Sequence, residues 1–438
     1  MNIIGIRRED KNVWERRAPL TPAQVAQLIA QHRLRIQIQP SPIRVFTDSE
    51  YQRAGAEIRD DISPSALVLG IKEMPVDFFQ PGKTYFFFAH VIKGQPGNMP
   101  MLRRIMELGC SLLDYEKITD EQGRRLIFFG RYAGIAGMID TLAGLGRRLA
   151  NQGIDNPFTA VKLAHEYGRY ETIQREISRL RTLIQKKGLP AAIVPLIIGI
   201  TGYGNVARGA GEILGALAAR PIQPSDLPAV INERNPYTVY QVTFREEDMV
   251  QPAISGRDFN LQEYYQHPER YCSKFEMHLP FLSVLVNCIY WDHRYPRLVT
   301  KNYLETAFST GKLRLIIIGD ISCDIEGSIE ATVKATSPGA PFFVYNPLTR
   351  SVQDGVAGTG IVIMAVDNLP CELAADSSTE FGAALMPFIP PLSSADFNLP
   401  LARLQLPAPL RRALIVHQGR LTPEFQYLEK YLQKGSKK

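Results

Sequence analysis

Two apolar runs in the first hundred residues each end on an ionisable side chain. Ala66-Leu67-Val68-Leu69-Gly70-Ile71 leads into Lys72 and Glu73, and Tyr85-Phe86-Phe87-Phe88-Ala89 leads into His90, with Lys93 close behind. Short β-rich runs bounded by Pro and Gly read as buried strands, so Lys72 and His90 fall where neighbouring strands leave the core. Open α/β sheets bind ligands at such strand ends. A Lys and a His set among further cations have their pKa values lowered toward neutrality, which suits acid/base catalysis. The same residues also admit a plainer reading, a solvated strand end for Lys72 and a structural imidazole for His90.

A second chemical signal lies further on. An apolar run from Ala191 to Ile200, expected to be a strand, enters Thr201-Gly202-Tyr203-Gly204-Asn205-Val206-Ala207-Arg208-Gly209, and a helical pattern follows through Leu214 and Leu217. This is Gly-x-Gly-x-x-Ala between strand and helix. Gly202 permits the tight turn, Gly204 lets the backbone approach a pyrophosphate, and Ala207 permits close helix–strand contact. In that setting the pattern indicates a nicotinamide dinucleotide site; the alternative is a mere tight turn. About twenty positions on, where an acidic ribose partner is usual, the chain reads Arg220-Pro221-Ile222-Gln223-Pro224-Ser225-Asp226. Gln223 takes the ribose position and Arg220 could meet a 2′-phosphate, which favours NADP(H) over NAD(H).

The elements needed to position these groups are legible as an alternation of strand and helix signals, which argues for a parallel sheet with helices on its faces. Strands are expected at 3–6, at 35–39 as a half-exposed strand, at the two runs above, at 111–113 and at 126–129. Helices are expected from Thr21-Pro22 onward, with Pro at the first helical position, and around 100–108, closed by Gly109. Residues 133–149 read as a long helix carrying Gly134, Gly137, Gly144 and Gly146, small enough to pack closely, as a hinge between lobes would. Residues 162–187 read as a charged amphipathic helical stretch with a solvated face. Strands near 282–289 and 313–318 continue the second unit. Between the run 191–200 and these strands, residues 245–280, rich in Tyr, His and Arg, read as a surface insertion. The proline-rich stretch 387–409 reads as an extended connection.

Composition narrows the class. With 438 residues, 45% hydrophobic and 21% charged, the chain is ordinary for a globular enzyme of two to three domains and excludes extensive disorder. The charge of +6 is spread out; its densest cluster, Lys434, Lys437 and Lys438, reads as a frayed terminus and not a nucleic-acid arm. The five cysteines are an odd number, far apart, with no Cys-x-x-Cys, which argues against a disulfide framework and a zinc site. Arg7, Arg8, Glu9 and Asp10 follow after six mostly apolar residues, so no signal peptide is expected, and no apolar run is long enough for a membrane span. A reduced, cytoplasmic compartment is expected.

Beyond these features, whole stretches resemble a known family. Ile4-Gly5-Ile6-Arg7-Arg8-Glu9-Asp10, the run from Trp14 to Pro22, the Lys72 and His90 islands, and Asp114-Tyr115-Glu116-Lys117 resemble the amino-terminal half of saccharopine dehydrogenases. So do Tyr132 to Met138, Asn287-Cys288-Ile289-Tyr290-Trp291, Asp320 to Asp324 and Asp367-Asn368-Leu369-Pro370. His267-Pro268-Glu269-Arg270-Tyr271 and Gly327-Ser328-Ile329-Glu330 are more similar to the lysine–2-oxoglutarate reductase half of α-aminoadipic semialdehyde synthases than to the shorter fungal enzymes. The wider superfamily includes alanine dehydrogenase and the soluble domain of transhydrogenase.

The resemblance implies an α/β fold of two lobes. A Rossmann-type cofactor domain, residues 134–365, would be inserted into a discontinuous α/β substrate domain made of residues 1–133 and 366–438, with the active site in the cleft. The implied reaction condenses the ε-amine of L-lysine with 2-oxoglutarate and reduces the imine with a nicotinamide hydride to saccharopine, or runs in reverse. The implied partners are these small molecules, with neither nucleic acid nor membrane. Lys72 and His90 match the catalytic pair, Arg17 a carboxylate-holding arginine, and Lys93 a cation that would depress the pKa of Lys72. Glu73 and Glu116 match acidic positions that oppose the substrate's amino groups; the alternatives are a surface ion pair for Glu73 and a structural contact for Glu116. Implied cofactor contacts are Gly202, Tyr203, Gly204, Asn205, Val206, Arg220, Asn287, Asp320, Asn368 and Leu369, while Asp324 is equally read as structural. No metal is implied. The saccharopine-oxidising half of the bifunctional enzymes is expected on another polypeptide. Two other readings remain open: a related enzyme for another amine, such as ornithine, a polyamine or ammonia, and a catalytically silent NADP(H)-binding protein.

Overall fold

A computed structural model describes residues 3–433, so Lys434, Lys437 and Lys438 lie outside the described residues. The chain divides into two units, one of residues 1–129 and 374–438, the other of residues 130–373. The first division falls where a long helix begins at Gly130, four residues before the sequence-level boundary. The second falls later than expected, because the turn Leu369–Leu373 packs with the apolar cluster of the second unit.

The first unit opens with strands β1 (Ile4–Ile6), β2 (Ile36–Ile38), β3 (Glu57–Ile58), β4 (Leu67–Leu69), β5 (Thr84–Phe87) and β6 (Ser111–Asp114). The second contributes β7 (Leu196–Thr201), β8 (Arg220–Ile222), β9 (Val239–Phe244), β10 (Val250–Pro252), β11 (Tyr271–Ser273), β12 (Val284–Asn287), β13 (Ile317–Asp320), β14 (Phe342–Tyr345), β15 (Val352–Asp354) and β16 (Ile361–Met364). The chain then returns to the first unit with β17 (Leu414–His417) and β18 (Arg420–Leu421).

The first unit's sheet runs β18-β17-β6-β5-β4-β1-β2-β3, parallel except where β17 pairs with β6 and β18. The second unit's sheet runs β15-β14-β16-β13-β12-β7-β9-β8, parallel except around β14. Helix α1 (Pro22–His32) starts as expected, with Thr21 as N-cap and Gln24 closing a capping box. Helices α2 (Asp48–Arg53), α3 (Met99–Glu107), α4 (Gly130–Asn151), α5 (Tyr170–Lys187) and α6 (Asn205–Ala216) follow. The glycines of α4 answer a packing demand within the second unit. A Cβ on Gly134 would lie 1.9 Å from the Val206 carbonyl oxygen, and one on Gly209 of α6 would lie 2.0 Å from that of Arg131. The two helices cross backbone to backbone.

Several expectations are corrected. β2 is buried throughout, not half-exposed: its polar Gln37 is turned inward, where its side chain receives the Ser65 hydroxyl and donates to Glu57. Parallel strands are covered on both faces, so alternation loses its meaning there. Residues 126–129 form no strand; Leu126 is exposed, and Phe129 instead stacks on Phe381 at 4.4 Å. The run 191–200 is a short turn followed by β7, because Pro195 cannot donate to a ladder. Only 170–187 of the charged stretch is a long helix. The stretch 387–409 is partly helical, at Ile389–Ser394, where prolines occupy the first helical positions that tolerate them. Residues 245–280 are more than a surface insertion, since Tyr264, Tyr271 and Phe275 join the core.

Candidate active site

In the first unit, the chain leaves β1 for β2 and β3 on one side and returns to β4 on the other. Beyond the carboxyl ends of β1 and β4 such a switch in strand order leaves a crevice. The chemistry-bearing residues follow these ends: Glu9 to Arg17 after β1, Lys72 and Glu73 after β4, His90 after β5, and Glu116 after β6.

Two buried carboxyls, to which sequence reasoning assigns no role, fix the backbone there. Glu9 accepts the Ile71 N–H at 2.7 Å through Oε1 and the Lys72 N–H at 3.0 Å through Oε2. Burial, aided by Glu15, pushes its pKa up to about 7 against the opposing amide bonds and Arg7. Asp114 accepts the Ala89 N–H at 3.1 Å and the Glu116 N–H at 2.8 Å, and burial followed by Glu116 raises it to about 7. Each acid thus anchors the segment bearing Lys72 or His90. The available signal was a single acid soon after, or at the end of, an apolar run.

Lys72 is driven toward its neutral form by burial first and Arg17 second, with a smaller push from Lys11. The expected cation, Lys93, is exposed and is not among the groups acting most strongly on Lys72; its N–H bonds Gln95 at 3.0 Å. His90 adopts φ +48°, a left-handed conformation costing a non-glycine residue about 1 kcal/mol or more. Its carbonyl accepts the Asn98 amide at 3.1 Å, and its Nδ1 lies 2.5 Å from Oε1 of Glu73. Burial would raise Glu73, but His90 and then Lys11, 3.2 Å from its other oxygen, outweigh it and hold the carboxyl down to about 2. An ionised Glu73 can only accept, so Nδ1 carries the proton.

Arg17 is buried, with its guanidinium 4.2 Å above the Phe129 ring. Its Nε donates to Oε1 of Glu15 at 2.7 Å and its Nη2 to Oε2 at 2.5 Å. That edge of the fork is committed, so gripping a ligand carboxylate through it requires Glu15 to yield. Glu116 accepts a hydrogen bond from Arg125 at 2.8 Å.

In the second unit the switch in strand order lies between β7 and β12. Gly202 takes φ +81° in the turn after β7, and Gly204 is the N-cap of α6. A Cβ on Gly204 would meet nothing within 4 Å, so the helix N-terminus opens onto space. This fits a pyrophosphate approaching the first amides of α6, those of Asn205 and Val206. Gly202, Tyr203 and Gly204 line a cavity together with Glu246, Tyr264 and Tyr265.

At four residues the geometry departs from the expectation. The strand beside β7 is β9, and β8 lies one strand further out. Arg220 on β8 therefore sits away from the fingerprint, 3.9 Å from Glu233 and over the Tyr240 ring, and Gln223 is displaced with it. The residues at the end of the neighbouring strand are Arg245, over the Tyr203 ring at 5.6 Å, and Glu246, which accepts the Tyr265 hydroxyl at 2.7 Å. Asn287 and Asp320 are buried and spent on one another. Asn287 donates to Asp320 and to Ser328, both at 2.8 Å, and Asp320 also accepts Thr332 at 2.6 Å and Ser322 at 2.7 Å. These bonds brace the strand ends. Asn368 and Leu369 are buried at the turn after β16, with Leu369 against Gly137 of α4.

The comparisons with known proteins agree with this architecture. Residues 5–136 match the family described as alanine dehydrogenase/PNT, N-terminal domain, and residues 273–424 match its C-terminal domain. The α-aminoadipic semialdehyde synthase of Arabidopsis thaliana is 38% identical over 443 residues, covering 97% of this chain but 41% of that protein. The chain thus spans about two-fifths of that relative. A saccharopine dehydrogenase [NAD(+), L-lysine-forming] of Emericella nidulans is 27% identical over 88% of this chain and 91% of its own length. The solved structure of an L-alanine dehydrogenase superposes with a TM-score of 0.61 at 18% identity, over 98% of this chain and 99% of that one, and shares the fold. With both domains matched in order, the chain belongs to the alanine dehydrogenase/PNT family.

Proposed function

We propose that this chain joins L-lysine to 2-oxoglutarate and reduces the resulting imine to saccharopine, or catalyses the reverse. The grouping of Lys72, Glu73 and His90 at one switch in strand order carries the proposal. The names of the relatives supply the substrate class. When bound in the glycine-turn cavity, a nicotinamide dinucleotide supplies or accepts the hydride. Lys72, biased toward the neutral amine, takes the proton from the ε-ammonium of the substrate. His90, oriented by Glu73, hands a proton to the departing hydroxyl as the imine forms. Glu9 and Asp114 keep both groups in register. Arg17 offers its fork to a carboxylate of the keto acid as Glu15 yields. Lys93 adds positive potential, and Glu73 and Glu116 oppose the substrate's amino groups.

NADP(H) is the preferred cofactor in this proposal, with Arg245 in the role that chain spacing alone assigns to Arg220. An arginine at the end of the strand beside the fingerprint supports this reading, since a guanidinium suits a 2′-phosphate. Asn368 and Leu369 complete the cofactor contacts. A reducing, cytoplasmic location is part of the proposal and is supported by five free cysteines; no helix among the described residues is long and apolar enough to cross a membrane. The test is a panel of lysine, ornithine, a polyamine and ammonia with several keto acids and both nucleotides. A lysine- and 2-oxoglutarate-dependent loss of nicotinamide absorbance is expected. Turnover with another amine and none with lysine, at any neutral to basic pH, overturns the substrate assignment.

A further inference from the structure

Directly after His90 the backbone makes a tight turn. The Gly94 N–H returns to the Val91 carbonyl at 2.8 Å, with Ile92 and Lys93 at the tip. Gly94 takes φ +67°, a left-handed conformation that favours glycine, and His90 itself takes φ +48°. A non-glycine residue stays in that region only where its surroundings over-determine it. Ahead of the turn, Asp114 holds the Ala89 N–H and Asn98 the His90 carbonyl.

The groups that hold the turn itself come from far along the chain. The segment Pro423–Gln433, in the chain's return to the first unit, is anchored by Phe425 and Leu428, both buried in that unit's core. Arg103 of α3 fastens its far end by donating to the Leu432 carbonyl at 2.7 Å. Between these anchors, the Tyr427 hydroxyl donates to the Ile92 carbonyl at 2.7 Å. Tyr427 is 43% exposed, so burial does not force this bond. The Tyr431 ring lies across Gly94, where a Cβ would stand 2.5 Å from both Cδ atoms of the ring.

We propose that Tyr427 and Tyr431 are positioning residues for His90. They fasten the 91–94 turn, and the turn keeps His90 left-handed with its Nδ1 at Glu73. This rests on the reading of His90 as the proton donor. Without the two tyrosines the turn relaxes and His90 returns toward ordinary φ, which carries its imidazole away from Glu73. Both tyrosines act through the backbone, and the proton stays the task of His90.

The test is steady-state kinetics on the full chain with lysine, 2-oxoglutarate and NADPH or NADH. The variants are Tyr427→Phe, Tyr431→Ala and Tyr431→Phe, each in the wild-type and in the His90→Asn background. Asparagine tolerates the left-handed backbone but cannot relay the proton. Tyr427→Phe should lower kcat by about three- to tenfold and Tyr431→Ala by about tenfold, while Tyr431→Phe, which keeps the ring, holds the wild-type value. The nucleotide KM should not move, because the glycine fingerprint lies in the second unit. In the His90→Asn background neither loss should exceed about twofold, since the group being positioned is gone. Wild-type kcat in both Tyr427→Phe and Tyr431→Ala overturns the proposal. So does a loss that persists in full in the His90→Asn background, the mark of a merely structural role. Thermal unfolding identifies a variant that fails to fold, and the other then decides. If His90→Asn kept full kcat, or wild type turned over without lysine, the reading of the site would fall and this proposal with it. Silent tyrosine variants beside an impaired His90→Asn remove the proposal alone.

Discussion

Nδ1 of His90 lies 2.5 Å from Oε1 of Glu73, a residue 17 positions earlier in the chain and at the end of a different strand. The contact joins the ends of β4 and β5, which pair in parallel as neighbours. It makes Glu73 the group that sets the tautomer of His90.

Glu73→Gln should therefore cut kcat by about 10²-fold, because a misoriented imidazole loses its near-attack geometry. Steady-state kinetics with lysine and 2-oxoglutarate check this. The same variant should alter acid stability. A carboxyl held down to about 2 contributes stability that is present above its ordinary value of 4.5 and lost as pH falls through 2. Wild type should lose this contribution between those pH values and the variant should not, as urea unfolding at a series of acid pH values would show.

Glu9 carries the opposite sign. Its pKa of about 7 lies above the unfolded value of 4.5, so its contribution is complete below 4.5 and declines as pH rises through about 7. Glu9→Gln should flatten that part of the stability profile. It should also cost about 1–3 kcal/mol, since an amide has one acceptor for two buried amide hydrogens. Denaturant midpoints between these pH values measure both effects.

Arg245 and Arg220 separate two readings of the cofactor site. Arg245→Ala should raise the KM for NADPH by about tenfold or more and leave that for NADH little changed, the loss expected for a charge-assisted hydrogen bond. Arg220→Ala should change neither.

Gly134→Ala tests the helix crossing. Its new Cβ would stand 1.9 Å from the Val206 carbonyl oxygen, so α4 and α6 must separate. A loss of about 1–3 kcal/mol is expected from overpacking, read as a lower Tm.

The parts of the site legible from sequence were those encoded locally. Apolar runs ending on Lys72 and His90, and the glycine turn at Gly202, each declare a strand and the turn that ends it. Strand order is not local. Arg220 follows the fingerprint at the customary distance, but β9 comes later in the chain and takes the place beside β7, bringing Arg245 and Glu246 forward. Glu9 was silent for the same reason: its partners at Ile71 and Lys72 lie 62 and 63 residues away and meet it only because β1 pairs with β4. Asn287 and Asp320 sit at strand ends, as ligand-binding residues do, but their hydrogen-bonding capacity is used by the serines and threonines around them, which no spacing reveals. Residues 126–129 have the composition of a strand but form none, and Phe129 instead lies beneath the Arg17 guanidinium.

The most direct test compares NADPH oxidation by wild type and Lys72→Met in the presence of lysine and 2-oxoglutarate, with each substrate omitted in turn. Wild type should require both substrates, and the variant should fall by about 10²–10⁴-fold in kcat while still binding NADPH, as expected for loss of a general base. Turnover that ignores lysine, or that survives in Lys72→Met, would contradict the assignment of Lys72 as the base of a lysine-condensing reductase.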